Sequence, residues 1–363
     1  MTLKRILFVC PDLEGAGGAE RQTLSLLLGL HGLGHDVALL TLAREGDLAG
    51  KLRAGGVLVD CAHLRFRTDL AGWRRAMRVA RELEPQIVVS RSVSAQVVGH
   101  ALAWRLGVPH VTVEHAGPGL RLRPDQRLLV RRVARSVRCV VAVSAAQIPA
   151  LRSLGIDESR IHVIPNGVAL NGVHASSREE LGLESTDFVA VLAASLRPEK
   201  QVPLFVRAVA RAAAKEPRIR GLVAGAGGEQ RIVEQEVALT AGAVRLLGRR
   251  DDVPALLAAS DVVCLSSSAE AAPLVVVEAM AAGRPVLATR VGGVADLVGD
   301  GVNGMLVPPG DEDAYAAALV SLARDPERTR RLGEAGRTAF HERFTLERMV
   351  AGYDELFDGV LSG

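Results

Sequence analysis

Residues 261–294 read DVVCLSSSAEAAPLVVVEAMAAGRPVLATRVGGV. Asp261 to Ser266 is apolar and β-branched, as a buried strand requires. Ser267 to Ala272 is a loop of small residues with one acid, Glu270. Pro273 stands where a first helical residue is expected, because its missing N–H is no loss there. Leu274 to Ala282 is good helix sequence, stopped by Gly283 with Pro285 just beyond. Val286 to Thr289 is another buried strand, and Gly292-Gly293 turns the chain.

Two carboxylates, Glu270 and Glu278, fall eight residues apart in this unit. Glu270 lies on the loop ahead of the helix and Glu278 in its second turn. Between them the N–H groups of Leu274, Val275 and Val276 have no partner inside the helix. Free amides at the positive end of a helix dipole suit a phosphate. Glu278 is placed to accept hydrogen bonds from a ribose and Glu270 from a sugar, so the unit fits an extended nucleotide-sugar. The spacing alone fits equally a loop acid in solvent and a helix acid on a wet face.

Glu270-x7-Glu278 with Ala279-Met280-Ala281-Ala282-Gly283-Arg284-Pro285-Val286 resembles the signature of GT4-type retaining glycosyltransferases of the two-domain GT-B fold. The resemblance implies that the first Glu touches the donor sugar and the second holds the nucleotide ribose. Ala271 stands where the family usually has Gly; Ala also permits a close backbone approach at negative φ.

The 363 residues suffice for two ordinary domains. With 48% hydrophobic and 23% charged residues the chain is globular. Aromatics at 3% argue against a stacking platform for single-stranded nucleic acid, and a net charge of +3 does not call for nucleic acid. Cys10, Cys61, Cys139 and Cys264 are scattered without a CxxC, as buried thiols of a reducing compartment are. Neither a signal peptide nor an 18-residue apolar run is expected, so the reading is a cytoplasmic protein.

Along the first half, Lys4 to Cys10 reads as a strand, Gly18 to Leu33 as a helix and Asp36 to Leu42 as a strand. Further strands are expected at Val57 to Cys61, Gln86 to Ser90, His110 to Glu114 and Cys139 to Val143. Such alternation implies a parallel sheet with helices on both faces and functional residues at the strands' carboxyl ends. Glu14-Gly15-Ala16-Gly17-Gly18-Ala19-Glu20 is a glycine-rich strand-to-helix turn, short of a full GxGxxG. It resembles the family's GGAER-type loop, which implies that Gly17 and Gly18 approach the donor phosphates. His115 follows a strand and precedes Ala116-Gly117-Pro118-Gly119; the resemblance implies a place near the donor sugar. Many family members have a His-rich segment where this chain has Ser90-Arg91-Ser92, so no role is expected there. Residues 121–138 hold seven arginines and one acid. Arg127, Arg131, Arg135 and Arg138 are spaced to share one helix face, with Leu128, Leu129, Val130, Val133 and Ala134 packing. The face is either simply solvated or a dock for an anionic acceptor or an anionic membrane surface.

Pro165-Asn166-Gly167 is a turn that resembles the family's hinge, and Asn171 to Ser185 is patterned as a linker. Strands resume at Phe188 to Ala194, Arg220 to Ala224 and Ala243 to Leu247. Between the first two, Ser195-Leu196-Arg197-Pro198-Glu199-Lys200-Gln201 leads into a helix, where a cation suits phosphate. In the family an Arg and a Lys grip the diphosphate here. Lys200 matches, the usual Arg position is Ser195, and Arg197 is displaced by two residues. The resemblance implies that the loop Gly248 to Val253 lies near the nucleobase; a plain loop with an N-capping Asp fits these residues as well. Asp311-Glu312-Asp313 is formally a DxD, but after Pro-Pro-Gly it reads as a helix cap with first-turn acids. A last helix, Leu346 to Leu361, is expected to cross back onto the first domain, as in the family.

The reading is α/β: two Rossmann-like, doubly wound parallel-sheet domains facing a cleft, at 1–166 and 167–343, with 344–363 as the returning helix. The resemblance implies hexosyl transfer from an NDP-sugar, UDP-sugars foremost, to an unidentified acceptor, lipid-linked or anionic, with retention at the anomeric carbon. Glu270 and His115 are the catalytic candidates. Gly17, Gly18, Arg197, Lys200, Leu274, Val275 and Glu278 are the donor-binding ones, with no metal and no further cofactor. Other GT-B chemistry, a nucleotide-sugar epimerase or a phosphorylase, and a non-catalytic nucleotide-binding subunit remain as alternatives.

Overall fold

In the computed structural model, residues 2–14, 17–65, 69–115, 124–169 and 176–363 are described, with side chains from 127 onward in the helix starting at Pro124. The chain divides into two compact units, Met1–Gly167 with Leu346–Gly363, and Val168–Thr345.

The first unit begins with β1 (Arg5–Cys10), α1 (Gly18–Gly32), β2 (Asp36–Thr41), α2 (Ala49–Ala54) and β3 (Leu58–Cys61). It continues with α3 (Leu70–Leu83), β4 (Ile87–Arg91), α4 (Val93–Leu106) and β5 (His110–Glu114). Then come α5 (Pro124–Ala134), β6 (Cys139–Ala142), α6 (Ile148–Ser153) and β7 (Ile161–Val163). All pairings in its sheet are parallel, in the order β3-β2-β1-β4-β5-β6-β7. Runs such as RILFVC and IVVSR are apolar on both faces, which only a sheet covered on both sides buries.

The second unit opens with β8 (Phe188–Ala193), α7 (Val202–Lys215), β9 (Ile219–Ala224), α8 (Gln230–Ala238) and β10 (Val244–Gly248). It adds α9 (Val253–Ala259), β11 (Val262–Leu265), α10 (Leu274–Ala281), β12 (Val286–Thr289), α11 (Val294–Leu297) and β13 (Gly304–Val307). Helices α12 (Glu312–Arg324) and α13 (Pro326–Arg343) close it. Its parallel sheet runs β10-β9-β8-β11-β12-β13. The strands expected from the sequence are present, with small shifts at their ends. Asp311 and Asp325 cap α12 and α13 by accepting from Ala314 N–H (2.8 Å) and Arg328 N–H (2.9 Å).

The arginine-rich stretch departs from expectation. Helix α5 stops at Ala134, where the Ser136 N–H and hydroxyl both turn back to the Val133 carbonyl. Arg135 and Arg138 therefore follow the helix instead of sharing its face. Val130, Val133 and Ala134 pack inward as read, but Leu128 is 72% exposed. Arg121 and Arg123 lie outside the described residues.

Helix α14 (Leu346–Ser362) belongs to the first unit. Its Met349, Val350, Tyr353, Phe357 and Val360 enter one core with Leu26, Leu27 and Leu30 of α1 and Ile6 and Phe8 of β1. Gly29 makes the approach possible, since a Cβ there would stand 2.4 Å from Val350 Cγ2. Beneath this seam Lys4 is buried against Asp354, with Asp358 at 2.8 Å. His35 Nδ1 accepts the Lys4 backbone N–H at 3.3 Å, so Nε2 carries the proton that it donates to Asp354 at 2.8 Å. Burial pushes the Asp354 carboxyl up, but hydrogen bonds and charge from Lys4 and His35 outweigh this and hold it below its usual value.

A carboxyl with a depressed folded-state pKa stabilises above its unfolded value and loses that contribution as pH falls. Asp354→Asn should therefore lower unfolding stability by about 3 kcal/mol at pH 7, since it strands a buried lysine. Urea titrations should show the deficit shrinking as pH falls below about 4, where the unfolded wild-type carboxyl takes a proton, until the folded one takes it too. A deficit independent of pH would mean that packing, not charge, is what the substitution removes.

Candidate functional site

In the second unit the strand order reverses between β8 and β11. The connections leaving these two strands diverge to opposite faces, which opens a crevice at their carboxyl ends. The loop after β8 ends in a 3-10 turn, Pro198–Lys200, followed by Gln201 at φ 45°. That left-handed conformation is unfavourable for a residue with a Cβ. The loop after β11 holds it in place. The Ser266 hydroxyl stands 2.9 Å from the Lys200 carbonyl and 3.0 Å from that of Gln201. The Ser268 N–H donates to the Glu199 carbonyl at 2.8 Å.

This arrangement brings Lys200 to Glu270. Lys200 Nζ lies 2.6 Å from Glu270 Oε1, and the Ser267 hydroxyl donates to the same oxygen at 2.6 Å. Behind them Thr289 Oγ1 donates to the Ser267 carbonyl at 2.5 Å, and Gly293 N–H to the Glu270 carbonyl at 3.1 Å. Glu270 is 8% exposed and Glu278 9%. Neither is the solvated acid that spacing alone allowed. Helix α10 buries Leu274, Val276, Val277, Ala279 and Met280 along with Glu278.

Pro273 is the residue ahead of α10 and not its first turn: its ψ of 120° is extended, so the helix begins at Leu274. Val276 N–H turns back to the Pro273 carbonyl at 3.1 Å, which closes one of the three amides expected to be open. Those of Leu274 and Val275 precede the first intrahelical bond. Arg197 is not drawn into the network; its side chain is 67% exposed and 4.0 Å from Glu199. A feature without a sequence assignment is Gly227, where a Cβ would stand 2.4 Å from the Leu196 carbonyl oxygen. Glycine there lets the loop after β9 press on the one carrying Lys200. In the loop assigned to the nucleobase, Arg250 and Asp252 hold each other at 2.8 and 2.5 Å.

In the first unit the reversal lies between β1 and β4. Gly17 precedes α1 and Gly18 opens it, while Gly15 and Ala16 are outside the described residues. Glu20, in the first turn, lies close enough that a Cβ on Gly17 would stand 2.1 Å from its Oε2. Glu20 Oε1 pairs with Arg91 Nη1 at 2.8 Å, and Arg91 Nη2 donates to the Asp12 carbonyl at 3.3 Å. Arg91 is only 6% exposed. The segment given no role from sequence thus puts a buried cation at this reversal. His115, half-buried after β5, has its imidazole pKa pushed down to about 3 by burial and by the charge of Arg91, so it is neutral at neutral pH. Residues 116–120, its glycine-rich sequel, lie outside the described residues.

Asp311 is spent on its cap, Glu312 bonds Arg207 (2.7 Å) and Arg211 (3.1 Å), and Asp313 bonds Arg211 (2.5 Å). The DxD is a helix start in an ion-pair network, as expected. The four cysteines are buried and free, and no helix among the described residues is long and apolar enough to cross a membrane.

The sequence profile of Glycosyltransferase Family 4 matches residues 16–171, and that of Glycosyl transferases group 1 matches 174–339. The chain is 31% identical to the D-inositol 3-phosphate glycosyltransferase of Kribbella flavida, over 94% of this chain and 92% of that one. It belongs to the family 4 glycosyltransferases. The corresponding enzyme of Segniliparus rotundus is 32% identical over 73% of this chain and 64% of its own length. Anabaena HepE in complex with UDP-glucose has the same fold, with a TM-score of 0.84 at 24% identity, covering 98% of this chain and 99% of that one.

The residues that sequence reading missed in this glycosyltransferase are supports. Ser266, Ser267 and Thr289 carry no charge; the run Ser266-Ser267-Ser268 after a strand marks the place of the first two, and nothing in the sequence marks Thr289. Lys200 and Glu270 are coupled by burial, their side chains being 22% and 8% exposed. Lys200→Met leaves Glu270 inside without its cation and should cost about 2–3 kcal/mol, toward the low side because Lys200 keeps some solvent. Adding Glu270→Gln should recover part of that loss. Chemical denaturation of the two single variants and the double variant checks it; strict additivity would show that the pair contributes no coupling.

Proposed function

We propose that this glycosyltransferase moves a hexosyl group from a UDP-sugar to an acceptor hydroxyl with retention at the anomeric carbon, and that the donor lies across the Lys200–Glu270–α10 crevice. The observation that carries the reading is the buried Lys200–Glu270 pair in front of the α10 N-terminus. It offers a cation and two amides, Leu274 and Val275, to a diphosphate, and carboxylates to either side of it. Glu278 takes the ribose hydroxyls and Glu270 the transferred sugar. HepE, a protein of like fold, was crystallised with UDP-glucose, and that agrees with the choice of donor.

The bond between the anomeric carbon and the β-phosphate oxygen breaks while the acceptor oxygen bonds the same face of that carbon. The acceptor's proton passes to the departing phosphate oxygen. Lys200 and the helix amides stabilise the negative charge that grows on the diphosphate. The reading requires no metal for that task. Gly17, Gly18 and the neutral imidazole of His115 are assigned to the first unit's share of substrate binding. Arg197, exposed in this structure, is assigned to the donor phosphates only as an outer contact.

The two glutamates test this placement. Glu278→Ala should weaken both UDP and UDP-sugar, because the ribose is present in each. Glu270→Ala should leave UDP affinity nearly intact and lower kcat more than it raises KM, because it touches the group on which charge develops. Calorimetry with UDP and steady-state kinetics separate the two. Equal losses of UDP affinity would mean that the ligand does not lie in this direction. Glycoside formation, as opposed to release of an altered free sugar, excludes the epimerase alternative, and any turnover excludes a purely binding subunit.

For the acceptor we infer an anionic or lipid-linked molecule met at a membrane surface. Arg127, Arg131, Arg132 and Arg135 are exposed beside Leu128, and Trp104 of α4 is 72% exposed. Binding to vesicles rich in anionic lipid should be measurable at low salt and fall steeply as salt rises. Arg127→Glu/Arg131→Glu should abolish it without changing UDP affinity. Equal binding to neutral vesicles would leave the arginines as a solvated face.

A further inference from the structure

At the amino-terminal edge of the second unit's sheet lies a cavity of about 370 Å³. It is walled by the turns that feed β8, β9, β11 and β12 and by the start of α13. Four arginines line it, Arg178, Arg218, Arg284 and Arg330, against two carboxylates, Asp187 and Asp261.

Both carboxylates are already engaged. Asp261 takes Arg178 through two contacts of 2.9 Å and the Val189 N–H at 2.7 Å. Asp187 accepts from Glu184 N–H at 2.8 Å and faces Arg220 at 3.5 Å. Arg218 and Arg330 have Glu216 at 3.0 Å and Glu334 at 2.5 Å. Arg284 is the exception. Its Nη2 donates to the Ala258 carbonyl at 2.5 Å, and its Nε is buried with no partner. Among the described residues no carboxylate forms an ion pair with it.

Capping explains part of this arrangement. Arg178 and Arg284 donate to carbonyls that end α9, and Arg218 donates to that of Ala323 near the end of α12. Such contacts offset the negative end of a helix dipole. They leave Arg284 without a carboxylate partner. Burial lowers its pKa, Arg178 adds to that, and the nearby Asp261 opposes it. A half-buried cation with one carbonyl partner is short of compensating charge.

We propose that the cavity is a binding site for a phosphate oxyanion, free or carried by a small ester, held by the Arg284 guanidinium, which no carboxylate among the described residues pairs, beside Arg218 and Arg330. A guanidinium fork matches phosphate oxygens in pairs, and the volume is that of a small-molecule site. The site is separate from the donor crevice. Helix α10, eight residues or about 12 Å long, begins at the crevice, and Arg284 follows its end. The proposal does not depend on the reading of the donor site.

Calorimetry on the full chain tests it, with inorganic phosphate and glycerol 3-phosphate titrated separately while UDP is held at saturation. One site should appear, and the tighter ligand names the source. Arg284→Gln, which loses the charge and the fork, should weaken it roughly tenfold or more. Lys200→Ala should leave it unchanged, with UDP present or omitted. If Arg284→Gln fails to melt like the wild type, Arg284→Lys, which keeps the charge and loses the fork, should show the same weakening. No heat from either ligand, or affinity indifferent to Arg284, overturns the proposal. Loss of binding in Lys200→Ala also overturns it, by placing the phosphate in the donor crevice.

Discussion

A parallel sheet that reverses its strand order has one place where regular structure cannot cover its carboxyl end. The crossovers leave in opposite directions, and backbone groups there must find partners in loops. Between β8 and β11 this enzyme meets that demand with small hydroxyl side chains. Ser266 serves the Lys200 and Gln201 carbonyls, Ser267 serves the Glu270 carboxylate, and Thr289 serves the Ser267 carbonyl. Each hydroxyl is short enough to leave the crevice open. The lysine and the glutamate are consequently fixed by neighbours that are themselves fixed, which is what a preorganised site needs.

The first unit depends on a different constraint, set by sequence distance. Lys4 and Asp354 are 350 residues apart and meet in the interior. A lysine cannot be buried until its anion arrives, so the strand that starts the sheet is completed by the helix that ends the chain. The second unit is continuous, Val168–Thr345, and has no such dependence. Its contacts close over shorter loops, which lowers the entropic cost of forming them first.

Much of this was legible because parallel strands announce themselves. IVVSR, CVVA and FVAVLA are apolar on both faces, and neither a solvated strand nor a surface helix would have that pattern. Glu270 and Glu278 were legible as a pair by spacing and as buried groups only in three dimensions. The end of α5 was not legible. Arginines at suitable intervals continue past Ala134, but Ser136 bonds back to Val133 and Val137 turns into the core, and periodicity carries no trace of that. Arg91 was hidden for the opposite reason. A buried arginine looks like any other arginine until Glu20 and the Asp12 carbonyl are seen around it. Gly227 carried no sequence signal, since the carbonyl it avoids lies on another loop.

The resting pair of Lys200 and Glu270 also bears on how such a crevice treats an anion. With Ser267 on the same oxygen, the Glu270 charge is balanced by Lys200, so the crevice is not a bare positive pocket. Lys200 presents three donors and uses one on Glu270. A diphosphate beside it would share the ammonium without forcing it out of place, and the helix amides would supply the remaining compensation. A monoanion would gain less, because the lysine is already partnered and a single charge draws less from the dipole. Among anions of similar size, the arrangement therefore favours the more highly charged one. If the donor lies as proposed, that preference grows as charge accumulates on the leaving diphosphate.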